Sequence, residues 1–145
     1  MKPFVFNLEK VLGLRKFNED EAKIELGRAV GVLAELESRI RSLAEEKAGA
    51  LAAQFSPGNS VFEIQQYMVY LLRLENTKER LLKEAALAEM KVEEARNKFL
   101  EVSRERKVLD KLKEKRQKEY HKLVLAEEAK TLDDISSGAK LRAAY

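Results

Sequence analysis

The chain has 145 residues, of which 37% are charged and 7% aromatic, with two prolines, no cysteine and a formal net charge of +3. This length indicates one domain, and the abundance of Ala, Glu, Lys, Leu and Arg is typical of long helices rather than of a compact globule. The composition excludes a disulfide framework and thiolate chemistry. No window approaches 18 uncharged apolar residues, so we expect no direct membrane insertion.

Two long helical segments are predicted, separated by one strong turn signal. The first helix should span about residues 7–54, and the sequence FSPGNS, residues 55–60, predicts a turn. The second helix should span about 61–134, beginning with a Ser60–Glu63 pair at capping-box spacing. Residues 135–145 are expected to form a frayed tail. All of this is predicted to be a single coiled-coil domain, 1–145.

Apolar residues recur at alternating steps of three and four along both segments. The stripe runs from Val5 to Ala50 in the first segment and from Ile64 to Leu123 in the second. A sustained period of 3.5 residues predicts a left-handed coiled coil, and the stripes form its seam. We therefore predict an all-α fold of two long helices in an antiparallel coiled-coil hairpin, with the second helix longer and overhanging.

The heptad spacing alone is compatible with several alignments of the two stripes. These alignments differ from one another by multiples of seven residues. Centring the hairpin on Pro57 removes this ambiguity and places, for example, Leu36 opposite Lys78. In that register Lys113 faces residue 1 and Arg116 faces nothing. The remainder of the second helix, roughly 20 residues, would then lack cover from the first, and an isolated helix of that length is marginal in water.

The segment RERKVLDKLKEKRQKEY, residues 104–120, carries eight Lys or Arg against four acidic residues. Its charged seam positions indicate that the partner helix has ended and that another molecule covers this end. Nucleic acid is one alternative occupant, because basic segments bind phosphates. However, acidic residues interleave, and Tyr120 is the one nearby aromatic side chain for base stacking. A solvated helix face explains the segment better, so we expect no nucleic-acid partner.

The sequence carries no pattern typical of catalysis or metal binding. It lacks a glycine-rich phosphate loop, and His121 is its one histidine. Carboxylates on an extended coiled coil have no concave site that could desolvate them and shift their pKa. We therefore expect no enzyme activity, no metal site and no cofactor.

Three stretches together resemble the FliJ family of flagellar export proteins, relatives of the YscO-type stalk proteins of type III secretion. They are the opening FVFNLEKVLGLRKFNEDEAKIELG, the sequence IQQYMVYLLRLE after the turn, and the basic segment followed by the acidic AEEAKTLDDI. The resemblance covers nearly the whole chain. It implies a two-helix antiparallel coiled coil, similar to the stalk of the γ subunit of rotary ATP synthase.

The resemblance implies a cytoplasmic component of the flagellar type III export apparatus, peripherally associated with the cytoplasmic face of the basal body at the inner membrane. Its open end would insert into the hexameric export ATPase FliI and promote ring assembly and ATP hydrolysis. It would also contact the cytoplasmic domain of the export-gate protein FlhA and bind export chaperones. Two alternatives stay open: a generic structural coiled-coil adaptor without an ATPase partner, and, less favoured, a nucleic-acid-binding helical arm.

The resemblance also implies two sets of binding residues. The predicted ATPase-ring contacts are the basic side chains at the open end: Arg15, Lys16, Arg104, Arg106, Lys107, Lys111, Lys113, Lys115 and Arg116. The predicted export-gate contacts lie just past the turn: Tyr70, Leu74, Thr77 and Leu81. Leu74 and Leu81 also occupy seam positions, so the sequence leaves open whether they belong to the core or to the surface. Tyr70 lies off the seam and is expected to be exposed.

Overall fold

A computed structural model describes residues 2–144 of the chain. Two helices are present, α1 (Glu9–Gln54) and α2 (Val61–Ala144), and this part of the chain contains no strand. The two helices pack against each other as a hairpin in which α2 is the longer, which confirms the predicted all-α fold. α1 begins two residues later than predicted, whereas its end and the start of α2 fall at the predicted residues.

The turn between the helices is held by capping interactions on both sides. The Asn59 side-chain amide donates to the carbonyls of Ala53 and Gln54, at 2.6 and 3.2 Å, and so satisfies two carbonyls left open at the end of α1. Ser60 and Glu63 exchange hydrogen bonds of 3.2 Å, which confirms the predicted capping box. Between them Gly58 has a φ of 92°, a left-handed conformation that suits glycine.

α2 continues to Ala144, ten residues beyond its predicted end near residue 134. The helix therefore ends later than predicted, whereas fraying from residue 135 stays a prediction, and Tyr145 lies outside the described residues. This segment has no proline, and Gly138 costs only about 1 kcal/mol relative to alanine in a helix. Extending an existing helix needs no new nucleation, so such a weak position does not end it.

The packing divides into two compact units, each with segments from both helices. The turn unit consists of Asp20–Leu100, and the terminal unit combines Met1–Glu19 with Glu101–Tyr145. That the whole chain acts as one domain stays a prediction.

The predicted seam is confirmed over most of its length. Every predicted seam position from Leu12 to Ala50 and from Ile64 to Lys113 is buried or half-buried. The prediction is wrong at the first positions, Val5 and Leu8, which are exposed. These two residues precede α1, so the helical spacing does not apply to them.

The core of the turn unit shows how the helices are aligned. Leu36 of α1 forms a buried cluster with Leu81, Ala85 and Ala88 of α2. These three α2 residues are spaced by four and three, as for a hole that receives one side chain from the facing helix. Leu36 therefore lies opposite Ala85, one heptad further along α2 than predicted, and the pairing with Lys78 is wrong.

Contacts in the terminal unit show the same displacement. The Lys113 ammonium lies 2.8 Å from the Glu9 carboxylate, whereas the prediction placed Lys113 opposite residue 1. The spacing was right, but Pro57 was the wrong centre for the hairpin. The turn has six residues, so the end of α1 and the start of α2 need not lie opposite each other. The point about which facing residues are paired therefore lies near the start of α2 and not at Pro57.

Candidate functional site

Charged side chains in the terminal unit form a half-buried cluster across the seam. The Arg106 Nε donates to the Glu19 Oε2 at 2.6 Å, and the Arg106 Nη1 donates to Asp110. Ser103, which is buried, also belongs to α2 three residues before Arg106. Only 23% of the Arg106 side chain and 19% of the Glu19 side chain are exposed. Arg106 therefore neutralises a carboxylate of its own chain, whereas the predicted register placed it opposite Leu8, at the edge of the paired helices.

Two further ion pairs join the helices in the same unit. Arg15 Nη1 lies 2.6 Å from Glu105 Oε2, and Lys113 pairs with Glu9. Partly exposed pairs of this kind contribute little energy each, but opposite charges across a seam favour one alignment over others. Three of the nine predicted ring-binding residues are therefore occupied within the chain.

Glu19 makes the stability of the terminal unit dependent on pH. The hydrogen bond from Arg106 lowers the pKa of Glu19, and the Ser103 hydroxyl and the Lys107 charge act in the same direction, although partial burial opposes them. A depressed pKa means that the folded state favours the carboxylate. The resulting stabilisation is present above the ordinary pKa of a glutamate and is lost as the pH falls through the depressed value.

We expect the E19Q variant to melt a few degrees below the wild type at pH 7, because Arg106 loses one of its two carboxylate partners. As the pH falls from about 5 to about 3, this difference should shrink, because the wild-type carboxylate becomes protonated. Thermal unfolding followed by circular dichroism measures both effects. The matched control is E21Q, since Glu21 is exposed on the same helix. Equal melting temperatures for E19Q and the wild type at pH 7 would show that the cluster does not stabilise the fold.

The N-terminal segment before α1 also covers part of α2. The Tyr120 hydroxyl donates to the Lys2 carbonyl, and the Phe4 ring lies 5.6 Å from the Tyr120 ring, tilted by 50°. Phe6 is buried. Cover from the first part of the chain therefore reaches about to Tyr120. Seam spacing missed this contact because the segment is not helical.

The other six predicted ring-binding residues are all exposed: Lys16, Arg104, Lys107, Lys111, Lys115 and Arg116. Four of them follow one another along α2 at steps of three, four and four residues, which places them on one helix face. These four, Arg104, Lys107, Lys111 and Lys115, are called the basic stripe. Within residues 2–144 they form no ion pair, so their charges are available to a partner.

Beyond the covered part, α2 continues as a free end, defined as residues 125–144. Every described residue in it except Gly138 is exposed. Its large apolar residues include Leu125, Leu132 and Ile135, more than half exposed and spaced by seven and three along one face. This free end begins about ten residues later than predicted, because the register is displaced and the N-terminal segment adds cover.

The predicted gate-binding residues do not share one environment. Leu74 and Leu81 are buried in the turn unit, 7% and 4% exposed, so they belong to the core. Thr77 is half-buried, and its hydroxyl donates to the Arg73 carbonyl at 2.9 Å. Tyr70 is exposed as predicted, and its hydroxyl donates to the Glu46 carboxylate at 3.3 Å. Of the four, Tyr70 is the most accessible to a partner.

The described residues contain neither a membrane-spanning helix nor a metal-binding cluster. Between Lys2 and Ala144 no helix combines the length and the apolarity needed to cross a membrane. The same residues contain no group of three or more His, Cys, Asp or Glu side chains arranged to hold a metal ion.

Comparison with known proteins gives one match that covers nearly the whole chain. The model of the family described as flagellar FliJ protein matches residues 4–144. Neither curated proteins nor solved structures gave a match. The family match spans α1, the turn and α2, including the basic stripe and the free end. The chain therefore belongs to the flagellar FliJ family, whose members are structural components of the flagellar export apparatus.

Proposed function

We propose that the chain is a stalk-like component of the flagellar type III export apparatus that inserts its open end into the hexameric ring of the export ATPase FliI. There it promotes ring assembly and ATP hydrolysis. The observation that carries this proposal is the free end of α2, a helix of about five turns that its own chain leaves uncovered. Family membership supports the assignment to export.

The free end favours burial in another protein. An isolated helix of this length is marginal in water, so a partner that encloses it gains stability for the complex. Leu125, Leu132 and Ile135 offer an apolar face, and full burial of such a side chain contributes about 1.5–3 kcal/mol. A ring pore could enclose this helix from several sides at once.

The basic stripe would guide the open end into the ring. Its four charges carry no partner within the described residues, and they precede the free end on the same helix. Positive charge of this kind accelerates association with an acidic surface and disfavours wrong partners. In this proposal the basic stripe speeds the encounter with the ring, and the free end is the part of α2 that the ring buries.

Stimulation of hydrolysis would follow from selective binding. A ligand that binds the assembled ring but not free subunits shifts the equilibrium towards the ring by mass action. More rings at a given ATPase concentration then give more hydrolysis, without any catalytic group on the stalk. The proposed location is the cytoplasmic face of the basal body at the inner membrane.

The coupling to the export gate belongs to the turn unit in this proposal. Tyr70 is the predicted gate residue that the structure leaves exposed, so contact with the cytoplasmic domain of FlhA would centre on it, with Thr77 at the margin. Leu74 and Leu81 would support this surface from inside the core. Export chaperones would be additional partners, for which no residues are assigned.

Reversing three charges of the stripe tests the proposal. We expect the triple variant R104E, K111E and K115E to stimulate the cognate export ATPase at least about tenfold less than the wild type at the same concentration, because attraction becomes repulsion. The matched control reverses three exposed lysines of the turn unit, Lys83, Lys91 and Lys98, and so changes the net charge equally. It should stimulate normally.

Hydrolysis rate and ring population by mass photometry are the two readouts, and circular dichroism verifies that both variants stay helical. If the stripe variant and the control stimulate equally, the stripe does not steer ring binding. If the wild type changes neither readout, the chain is a structural adaptor without an ATPase partner.

A further inference from the structure

The part of the turn unit nearest the turn is almost free of charge. Between Lys47 and Arg73 the sequence contains a single charged residue, Glu63, although 37% of the whole chain is charged. So little charge on a segment of this length indicates a surface that contacts another molecule as well as solvent.

The same segment exposes six large apolar side chains, here called the apolar tip. Its members are between 54% and 79% exposed: Phe55, Val61, Phe62, Met68, Val69 and Leu72. Val61, Met68 and Leu72 are spaced by seven and four residues, so they lie along one line of α2, and Phe62 and Val69 lie beside them. Single exposed apolar residues are ordinary, but five large ones on one helix face indicate an interaction site.

We propose that the apolar tip binds the apolar tip of a second copy of this chain, forming a twofold-symmetric dimer. The faces match when the two α2 helices run antiparallel. Val61 of each copy then lies against Leu72 of the other, and Gln65 lies against Met68. Phe62 packs beside Val69 in the same arrangement. A symmetric contact of this kind uses the same patch on both copies.

The charge pattern favours a second copy over other occupants. Glu63 is the one charged residue of the segment that carries the tip, so two tips meet with little repulsion, and a partner rich in charge would find little to pair with. No lysine or arginine lies between residues 48 and 72, and the chain has no tryptophan, so the tip lacks the usual anchors for an anionic membrane surface.

The area of the tip suits a weak, reversible dimer. In this arrangement Phe62 can bury roughly 150 Å² when fully covered. With Val61, Met68, Val69 and Leu72 beside it, the contact stays below the ~800 Å² per partner of a standard interface, in the range of weak contacts. Because association also costs translational and side-chain entropy, we expect a Kd on the order of 10 µM.

Sedimentation velocity over a concentration series up to about 200 µM tests the proposal. We expect a monomer–dimer equilibrium in the wild type, which salt at about 1 M leaves unchanged or strengthens, because the contact is apolar. The variants F62E and V69E should each raise the Kd at least about tenfold, since each places a charge in the contact. M90E is the matched control: Met90 is 62% exposed, on the same helix and three heptads beyond Val69. It should dimerise like the wild type.

Four outcomes would overturn the proposal. They are a monomer throughout the series, a dimer that F62E and V69E leave intact, a dimer that dissociates at high salt, and a monomer that co-sediments with phosphatidylcholine vesicles through Phe62. The last would assign the tip to a lipid surface instead. These outcomes are independent of ATPase stimulation, because the tip belongs to the turn unit and the proposed ring-binding residues belong to the terminal unit.

Discussion

Replacing Leu81 with alanine is expected to lower the free energy of unfolding by about 3 kcal/mol, because the change leaves a cavity in the best-buried cluster of the turn unit. Leu81 is 4% exposed and packs with Leu36, Ala85 and Ala88. Two of its α2 neighbours in the cluster are alanines, so no large side chain of that helix can move in to fill the space. Urea unfolding followed by circular dichroism measures the loss.

The matched control is L82A, one residue along the same helix. Leu82 is 47% exposed and faces away from the seam, so its loss should change stability by no more than about 0.5 kcal/mol. Equal stability of L81A and L82A would contradict the assignment of Leu81 to the core. The same two variants serve as a control for gate-binding experiments. If L81A is much less stable than L82A, weaker gate binding by L81A reflects a damaged fold rather than a lost contact.

The fold was predictable because a single signal, the 3.5-residue apolar period, persists along both helices and flanks one clear turn. Charged seam residues such as Arg15, Glu19 and Arg106 did not disturb it, since each occupies the seam as predicted. The alignment was not predictable in the same way. A heptad pattern repeats every seven residues, so the choice between Lys78 and Ala85 opposite Leu36 depended on the turn, whose proline is not the centre of the hairpin.

Of the candidate binding surfaces, only the basic one at the open end could be predicted from the sequence. The basic residues at the open end stood out in the sequence, but which of them are free depends on partners such as Glu9, Glu19 and Glu105, which the displaced alignment brings into reach. The apolar tip was missed, although the lack of charge between Lys47 and Arg73 is visible in the sequence. The seam period does not mark the tip, because its α2 residues lie on the face opposite the seam.

The second large effect is expected from removing the free end. A chain that stops after Val124 keeps every contact between the N-terminal segment and α2, because those contacts reach only to about Tyr120. Its stability should therefore stay close to that of the full chain, and its helix content should fall only by the residues removed. Stimulation of the export ATPase should fall at least about tenfold, since the surface proposed to enter the ring is gone.

A second truncation serves as control for chain length. Stopping after Lys140 removes the last exposed leucine, Leu141, but keeps Leu125, Leu132 and Ile135. This variant should retain most of the stimulation. Graded loss between the two truncations would locate the contact along the free end.

The ATPase rate with the full chain and with the chain ending at Val124, at equal concentrations and matched salt, tests the central claim most directly. If the uncovered end of α2 is what the ring encloses, the truncated chain stays folded and leaves the rate near that of the ATPase alone. A truncated chain that stimulates as well as the full one would contradict that claim and would assign the stimulation to surfaces that α1 and α2 share.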